Sequence, residues 1–278
     1  MQAMVGEQLR LQSARHFLSK GEELDLTASR ICTRLGKRQF EEGNDLFAVQ
    51  WAGIHRVART GDIRGLRYFL DDMHKSVEVR DDRGDTPLNT AAYAGQLDAA
   101  RELLERGADV DAKNNKARRT GWTPAISASS GDHREMIILL HRSGADLRQQ
   151  DMTGSTVAHM AASCNSVGSL RAIHDCFGDP TVLSMAANNG TTPAHVAAVF
   201  DNVEALKALF DLGATIDAQD KSASDHGACG ETPAHKAARS HHVKSLEFLQ
   251  AAGADMHTPN DEEDTPGHLA IWAGRYQC

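Results

Sequence analysis

The chain has 278 residues, of which 41% are hydrophobic and 24% charged, and its formal net charge is −8. This length is sufficient for a large core, whereas the acidic balance excludes a general nucleic-acid binder, which needs clustered Lys and Arg to neutralise phosphates. Residues 136–140 form one of the longest apolar runs, too short for a membrane-spanning helix, and five cysteines without a CxxC pair indicate a reduced, intracellular compartment.

The first twenty residues contain three basic side chains and only one acidic one, Glu7, with apolar residues on one helical face. Two interpretations fit this pattern: an ordinary surface helix, which we expect, and an amphipathic mitochondrial presequence. The expected location is therefore cytoplasmic, with mitochondrial as the alternative. A further helix is predicted to begin near Thr27, with Ile31 and Leu35 on one face. Residues 1–47 are thus expected to form an N-terminal helical extension.

From residue 48 onward, one sequence pattern recurs in steps of 33 to 40 residues. It begins with Thr-Pro-x-His-x-Ala-Ala or a variant and continues through an amphipathic stretch to Gly-Ala-Asp or a relative of it. The anchors of the copies are Ala52, Thr86, Thr123, Thr156, Thr192, Thr232 and Thr265. A fixed order that recurs near 33 residues predicts a solenoid of stacked units instead of a single compact core.

Each part of the pattern has a physical role in a helix–turn–helix unit. Thr is a good N-cap, and the Pro next to it occupies the first helical position, where its missing N–H costs nothing. The side chain three residues after the cap can bond back to it, and the following Ala pair lets neighbouring helices approach closely. This slot holds His55, Asn89, Ile126, His159, His195, His235 and His268. Because the slots are one repeat apart, the histidines are predicted to form a structural ladder and not a metal site.

The repeated Thr-Pro-x-His-x-Ala-Ala run with its terminal Gly-Ala-Asp resembles the ankyrin-repeat family over residues 48–278. The resemblance implies an all-α solenoid of helix–turn–helix repeats joined by hairpin fingers, with residues 1–47 capping the first repeat. It also implies a concave protein-binding face formed by the finger tips and the first helix of each repeat. The seven copies are placed near 48–81, 82–118, 119–151, 152–187, 188–227, 228–260 and 261–278, the last of which is incomplete.

Nine residues past each anchor, the chain must turn between the two helices of a repeat, and a positive φ is predicted there. The occupants are Gly61, Gly95, Asp132, Asn165, Asp201, His241 and Gly274. Gly, Asn and Asp adopt that conformation most cheaply, so His241 is the exception, and we expect mild strain or a special contact at this position.

The residues in excess of 33 per repeat are expected to lengthen the projecting fingers, through insertions at 114–122, 182–189 and 221–231. Lengthened loops are either functional or the result of tolerated drift. The first insertion is the best candidate for binding, because its basic side chains are followed by an aromatic one. Its candidate residues are Lys116, Arg118, Arg119 and Trp122. The acidic run 260–264 is interpreted as a solvated loop, which nevertheless grades the charge along the surface.

The two residues before each turn position are predicted to point into the concave face. The candidate binding residues there are Arg59, Tyr93, Phe200, Arg239 and Trp272. Aromatic residues make up only 5% of the chain, and three of them occupy this narrow class of positions. That enrichment favours a protein-binding face, and the alternative is partial packing against the fingers.

Metal and catalytic chemistry is not predicted. His226 and Cys229 are three residues apart, with His241 and His242 nearby, but no second tight ligand pair completes a zinc site. A nucleophile elbow, a phosphate-binding glycine loop and a HExxH run are also missing from the sequence. We therefore expect no metal, no cofactor and no catalytic residue. The predicted function is a non-enzymatic protein–protein interaction module. The alternative is a constitutive structural subunit of a large cytoskeletal or organelle assembly, for example a mitochondrial one.

Overall fold

The computed structural model describes residues 46–116, 119–221 and 230–275, and within them the side chains of 53–114, 121–221 and 230–272. The chain divides into two compact units, residues 1–52 and 53–278. The predicted N-terminal extension therefore lies outside the described residues, apart from its last two. Helix α1, Leu46–Thr60, is kinked at Gly53, whose φ of 53° and ψ of 150° are not helical.

Helices follow one another in pairs, a first helix and then a second helix, once per repeat. The first helices are α1, α3 (Pro87–Tyr93), α5 (Pro124–Ser130), α7 (Val157–Ser163), α9 (Pro193–Val199), α11 (Pro233–Arg239) and α13 (Pro266–Arg275). The second helices are α2 (Ile63–Arg67), which a π-helical turn extends over Tyr68–Asp72, α4 (Leu97–Glu105), α6 (Arg134–Arg142), α8 (Val167–Phe177), α10 (Val203–Asp211) and α12 (Val243–Ala251). From α3 onward, first helices pack on first helices of neighbouring repeats. The predicted solenoid is therefore confirmed.

The capping chemistry begins the first helices where the sequence predicts. Thr86 and Asn89 form a capping box at α3, and Thr192 and His195 form one at α9, with Pro at the start of both helices. The Ala pair that follows is completely buried between neighbouring first helices, as for Ala197 and Ala198. Small residues at this contact permit the close stacking on which the solenoid depends.

Six of the seven predicted turn positions have a positive φ. They are Gly61, Gly95, Asp132, Asn165, Asp201 and His241, with φ between 55° and 71°. The prediction is wrong for Gly274, which lies inside α13. Gly permits a positive φ but does not require it, and helical hydrogen bonding continues through Gly274 to Arg275.

The polar turn residues also connect successive repeats. Asp132 Oδ1 accepts a hydrogen bond from the backbone N–H of Ser169, near the start of α8 in the next repeat, at 2.7 Å. Asn165 and Asp201 accept in the same way from Ala205 and Ser245. The residues before α8, α10 and α12 make no side-chain cap bond to their own helices. Each of these second helices is therefore capped by the repeat before it.

The insertions do not all lengthen fingers. In the first one, β1 (Asn115–Lys116) and β2 (Arg119–Thr120) pair antiparallel in a short hairpin. In the fourth repeat, by contrast, α8 has eleven residues where α4, α6, α10 and α12 have nine, and a 3₁₀ turn follows at Pro180–Ser184. Val182 and Leu183 in this turn are buried, so their apolar side chains hold the extra residues against the stack instead of in a projecting loop. Residues 222–229 of the remaining insertion lie outside the described residues.

Candidate protein-binding surface

The surface at the C-terminal ends of the first helices exposes large apolar side chains. Tyr93 is 39% exposed, Phe200 57% and Trp272 59%. Arg59, which occupies the corresponding position of the first repeat, is also exposed. Single exposed apolar residues are ordinary, but three aromatic ones within the two positions that precede the turn position of a repeat form a pattern.

The aromatic residues do not form one cluster. Tyr93 belongs to the second repeat, Phe200 to the fifth and Trp272 to the seventh, and packed helices lie about 8–10 Å apart. The equivalent positions of the third and fourth repeats hold small side chains, at Ser130-Gly131 and Ser163-Cys164. The surface is therefore a row of separated aromatic side chains, and only small side chains lie between Tyr93 and Phe200.

One exposed residue of this surface was missed in the sequence. Ile271 is 58% exposed and directly precedes Trp272. In five other repeats the same slot holds a buried Ala, as at Ala198 and Ala238, and in the third repeat it holds Ser129. A large apolar side chain at this position could therefore have been noticed in the sequence.

The basic finger is only partly described. Arg118 lies outside the described residues, and for Lys116 and Arg119 the structure describes only the backbone, in the β1–β2 hairpin. Trp122 is half-buried, and its backbone is fixed: its N–H donates to Asn114 Oδ1 at 3.0 Å, and its carbonyl accepts from the Asn114 N–H at 3.0 Å. The base of this finger is thus held firmly.

Arg239 belongs to a buried ion cluster. Its guanidinium donates to Glu231, whose other carboxylate oxygen lies 2.6 Å from Lys236 Nζ. Lys236 Nζ also lies 2.8 Å from Asp220 Oδ2. The side chains of Asp220 and Glu231 are fully buried and flank the insertion on its two sides. Lys236 on α11 therefore binds a carboxylate on each side of the finger stem, Asp220 and Glu231.

The cluster shifts the pKa values of Glu231 and Lys236. Burial alone would raise the pKa of Glu231, but hydrogen bonds from Lys236 and Arg239 outweigh it and hold that pKa below its ordinary value. Burial alone would lower the pKa of Lys236, but hydrogen bonds to Asp220 and Glu231 outweigh it and raise that pKa. Glu231 and Lys236 therefore both stay charged near neutral pH.

The histidine ladder links repeats through backbone atoms. The Thr192 N–H donates to Nδ1 of His195 at 3.1 Å, and Nε2 of His195 lies 2.9 Å from the Glu231 carbonyl in the next repeat. Because a backbone N–H can only donate, Nδ1 is unprotonated and Nε2 carries the proton. Burial lowers the pKa of His195 to about 4. His159 and His235 make the same pair of bonds, and burial lowers the pKa of each.

Two residues of the possible zinc motif, His226 and Cys229, lie outside the described residues. Of the two that are described, His241 occupies the turn and His242 Nδ1 lies 3.0 Å from the Ala198 carbonyl. Within the described ranges, no group of three or more His, Cys, Asp or Glu could hold a metal ion. No helix in that part of the chain is long and apolar enough to cross a bilayer.

Comparisons with known proteins bear on the fold. A model of ankyrin repeats in three copies matches residues 31–114, 54–151 and 125–220, and a second ankyrin-repeat model matches 194–250. The ankyrin repeat domain of human ASB11 aligns with a TM-score of 0.63 and 23% identity, over 78% of this chain and 90% of that one. At this identity the likeness concerns the fold alone.

Curated relatives are similar over short stretches. Inversin of Gallus gallus is 33% identical over 38% of this chain and 9% of its own length. The B-cell lymphoma 3 protein homolog of Mus musculus is 38% identical over 31% of this chain and 18% of its own. Ankyrin repeat domain-containing protein 29 of Homo sapiens is 36% identical over 29% of this chain and 24% of its own. The alignments thus span less than a quarter of each relative.

Proposed function

Because the chain belongs to the ankyrin-repeat family, we propose that it binds a protein partner across its concave face and finger loops and catalyses no reaction. Ankyrin repeats are in general protein–protein interaction modules, and their fold is typically non-enzymatic. The observation that supports the finer proposal is the exposure of Tyr93, Phe200 and Trp272, each of which is one of the two residues before the turn position of its repeat.

Exposed aromatic side chains suit this role for an energetic reason. Their burial under a partner removes a large apolar area from water at a low cost in side-chain entropy, because each has only two rotatable bonds. Aromatic anchors of this kind contribute about 2 kcal/mol or more each when they occupy a partner's pocket. Arg59, and the basic finger residues Lys116, Arg118 and Arg119 with Trp122, are proposed as further contacts. Arg239 is proposed as a contact that Glu231 orients from within the chain.

The test compares matched variants of the full chain. Tyr93→Ala, Phe200→Ala and Trp272→Ala are each used as bait for quantitative cross-linking and capture from cell extract. Val243→Ala is the control, because Val243 is 62% exposed on a second helix, away from the proposed face. We expect at least two aromatic variants to lose the proteins that the parent and the control retain. If all three capture what the parent captures, the proposed face is wrong.

Two finer points stand as proposals beside this one. We propose the repeat boundaries near 48–81, 82–118, 119–151, 152–187, 188–227, 228–260 and 261–278, preceded by an extension over 1–47. We also propose a cytoplasmic location. Fluorescence of the chain tagged at its C-terminus tests the location, and a mitochondrial signal would favour the presequence interpretation of the first twenty residues.

A further inference from the structure

A groove crosses the C-terminal ends of the first helices in the middle of the stack. Its base consists of the small residues at these ends in the third and fourth repeats, which we call the floor: Ser130, Gly131, Ser163 and Cys164. Gly131 and Cys164 are exposed, and the two serines are half-buried. The larger, part-exposed side chains of Tyr93 and Phe200 stand at the two ends of the floor.

The end of the groove at Phe200 is fixed by contacts on both sides. Asn202 Nδ2 donates to the Ser163 carbonyl at 2.8 Å, so the turn after Phe200 is bound to the floor. On the other side α11 packs against α9, and Val199, which precedes Phe200, is 38% exposed. Both apolar side chains therefore stay exposed although a complete repeat is packed on each side of them.

The floor is wide enough for one α-helix. Packed helices lie about 8–10 Å apart, so the three repeat steps from Tyr93 to Phe200 span roughly 24 to 30 Å. The two rings occupy part of that span. A helix with its side chains is about 10–12 Å in diameter and fits between them.

The backbone beneath the groove favours a helix over an extended segment. The N–H and C=O groups of α5 and α7 bond within these helices, so the floor offers no sheet edge. An extended segment would lose water from its backbone groups there and gain no partners for them. A helix satisfies these groups within itself.

The interior of the groove is uncharged. Helices α3, α5, α7 and α9 contain no Asp, Glu, Lys or Arg. Asp132 and Asp201 occupy turns beside the groove, but their carboxylates accept hydrogen bonds from backbone N–H groups of the following repeats. A charged side chain pressed onto the floor would therefore be buried without a partner, which is costly.

The charges at the two ends of the groove are cationic. Arg59 precedes Tyr93 in this row of positions and is exposed, and Arg239 follows Phe200. The side chain of Arg239 is 35% exposed, whereas that of its partner Glu231 is fully buried. A bound segment thus meets the guanidinium and not the carboxylate.

We propose that the groove binds one amphipathic α-helix of the partner protein. Its apolar side lies on the floor between Tyr93 and Phe200, and its acidic side chains reach the guanidinium of Arg239. The inference rests on the proposed function and specifies the chemistry of the partner.

The probes are three fluorescein-labelled peptides. Two are helical, with Leu along one side, and carry either Glu or Lys on the other side. The third is the Glu peptide with two central residues replaced by Pro, which breaks the helix. Fluorescence anisotropy measures their affinity for the full chain at about 0.1 M salt.

The variants are matched in pairs. Cys164→Phe places a ring on the floor, in the slot that holds Phe200 in the next repeat, so it adds apolar area but closes the groove. Phe200→Ala removes one end, and its control is Phe210→Ala, since Phe210 is 42% exposed on the second helix α10. Arg239→Gln removes the cation, and its control is Arg171→Gln, at an exposed position of α8.

We expect the parent to bind the Glu peptide about ten-fold more tightly than the Lys peptide or the Pro peptide. Cys164→Phe and Phe200→Ala should each weaken binding about ten-fold, and the Phe210→Ala control should not. Arg239→Gln should bring the two helical peptides to within about three-fold of each other. Tighter binding by Cys164→Phe, or equal binding of the Glu and Pro peptides, would overturn the proposal. The comparison of the peptides on the parent tests the charge preference even where Arg239→Gln is unstable.

The outcomes also separate this inference from the broader one. If Cys164→Phe loses proteins that the parent captures from cell extract while no helical peptide binds, the proposed face binds protein but not through a helix in the groove. If Cys164→Phe and Phe200→Ala lose the Glu peptide while no aromatic variant loses a captured protein, the groove binds helices and the broader proposal fails. A dimer of the parent in sedimentation that Cys164→Phe abolishes would assign the groove to a second copy of the chain and overturn the inference.

Discussion

Lowering the pH should destabilise the stack through His195, at the centre of the histidine ladder. Its Nδ1 accepts from the Thr192 N–H and its Nε2 donates to the Glu231 carbonyl. A second ring proton would be on Nδ1, where it would meet the Thr192 N–H, which is a donor and cannot accept it. Burial lowers the pKa of His195 from 6.5 to about 4. The unfolded chain therefore takes up a proton at a higher pH than the folded chain does.

The sign and size of the effect follow from this pKa difference. The contribution of His195 to the free energy of unfolding is complete above pH 6.5. It decreases as the pH falls toward about 4 and does not change further below that pH. Each pH unit within this window costs about 1.4 kcal/mol, so the loss is about 2 kcal/mol at pH 5 and about 3 kcal/mol in total. His159 and His235 act in the same direction, because burial also lowers the pKa of each.

The chain contains its own matched control for this prediction. Asn89 occupies the ladder position of the second repeat, where Oδ1 accepts from the Thr86 N–H and Nδ2 donates to the Trp122 carbonyl. His195→Asn should therefore keep the bonds and remove the titration. Urea unfolding followed by circular dichroism gives the free energy of unfolding of both proteins between pH 5 and 7. We expect the parent to lose about 2 kcal/mol more than His195→Asn over this range. Parallel pH profiles would refute the reasoning, since the other histidines contribute equally to both.

Three further variants test the contacts between repeats by urea unfolding at pH 7. Lys236→Met should cost about 3 kcal/mol, because it leaves the buried carboxylates of Asp220 and Glu231 without their shared cation. Asp132→Ala should cost about 1 to 2 kcal/mol, since it removes the acceptor that caps α8 and places Ala at a φ of 55°. His241→Asn should stabilise by about 0.5 kcal/mol, because Asn tolerates the φ of 59° better than His.

Each of these variants has an outcome that contradicts it. Lys207→Met removes an exposed Lys that lies 3.5 Å from Glu204, and should change stability by less than about 0.5 kcal/mol. Equal effects of Lys207→Met and Lys236→Met would mean that the cluster adds nothing. Asp132→Asn keeps an acceptor at the turn, so it should be milder than the Ala variant, and equal losses would rule out capping between repeats. A His241→Asn protein no more stable than the parent would show that the turn stores no strain.

The features that the sequence predicted depend on local chemistry. A cap, its proline and the side chain three residues later interact within one turn of helix, so Thr192 and His195 identify a helix start without any knowledge of the fold. The turn positions are equally local, because φ preference is a property of the residue type. Gly274 shows the limit of such reasoning. The residue permits the turn but does not require it, and helix α13 continues through this position.

The features that the sequence missed depend on contacts between repeats. Arg239 stays a proposed partner contact, but the sequence analysis did not predict that its guanidinium is bound to Glu231, eight residues earlier and buried by the fold. This contact could have been predicted from the sequence. Lys236 and Arg239 are three residues apart on one face of α11, and Glu231 directly precedes the N-cap of that helix. Asp220 is different. The insertion separates it from the helix, and only the folded finger stem brings it to Lys236.

The ladder has a consequence for where specificity can be encoded. Nε2 of His55, His159, His195 and His235 bonds the backbone carbonyl of the residue that precedes the next anchor, as at Glu231 and Asp264. Because the bond is made to a backbone atom, it does not itself fix the residue type at that position. These positions hold Asp85, Trp122, Ser155, Thr191, Glu231 and Asp264, which differ in size and charge. The ladder therefore positions the backbone between repeats and leaves the residue type there to other contacts, such as the ion cluster at Glu231.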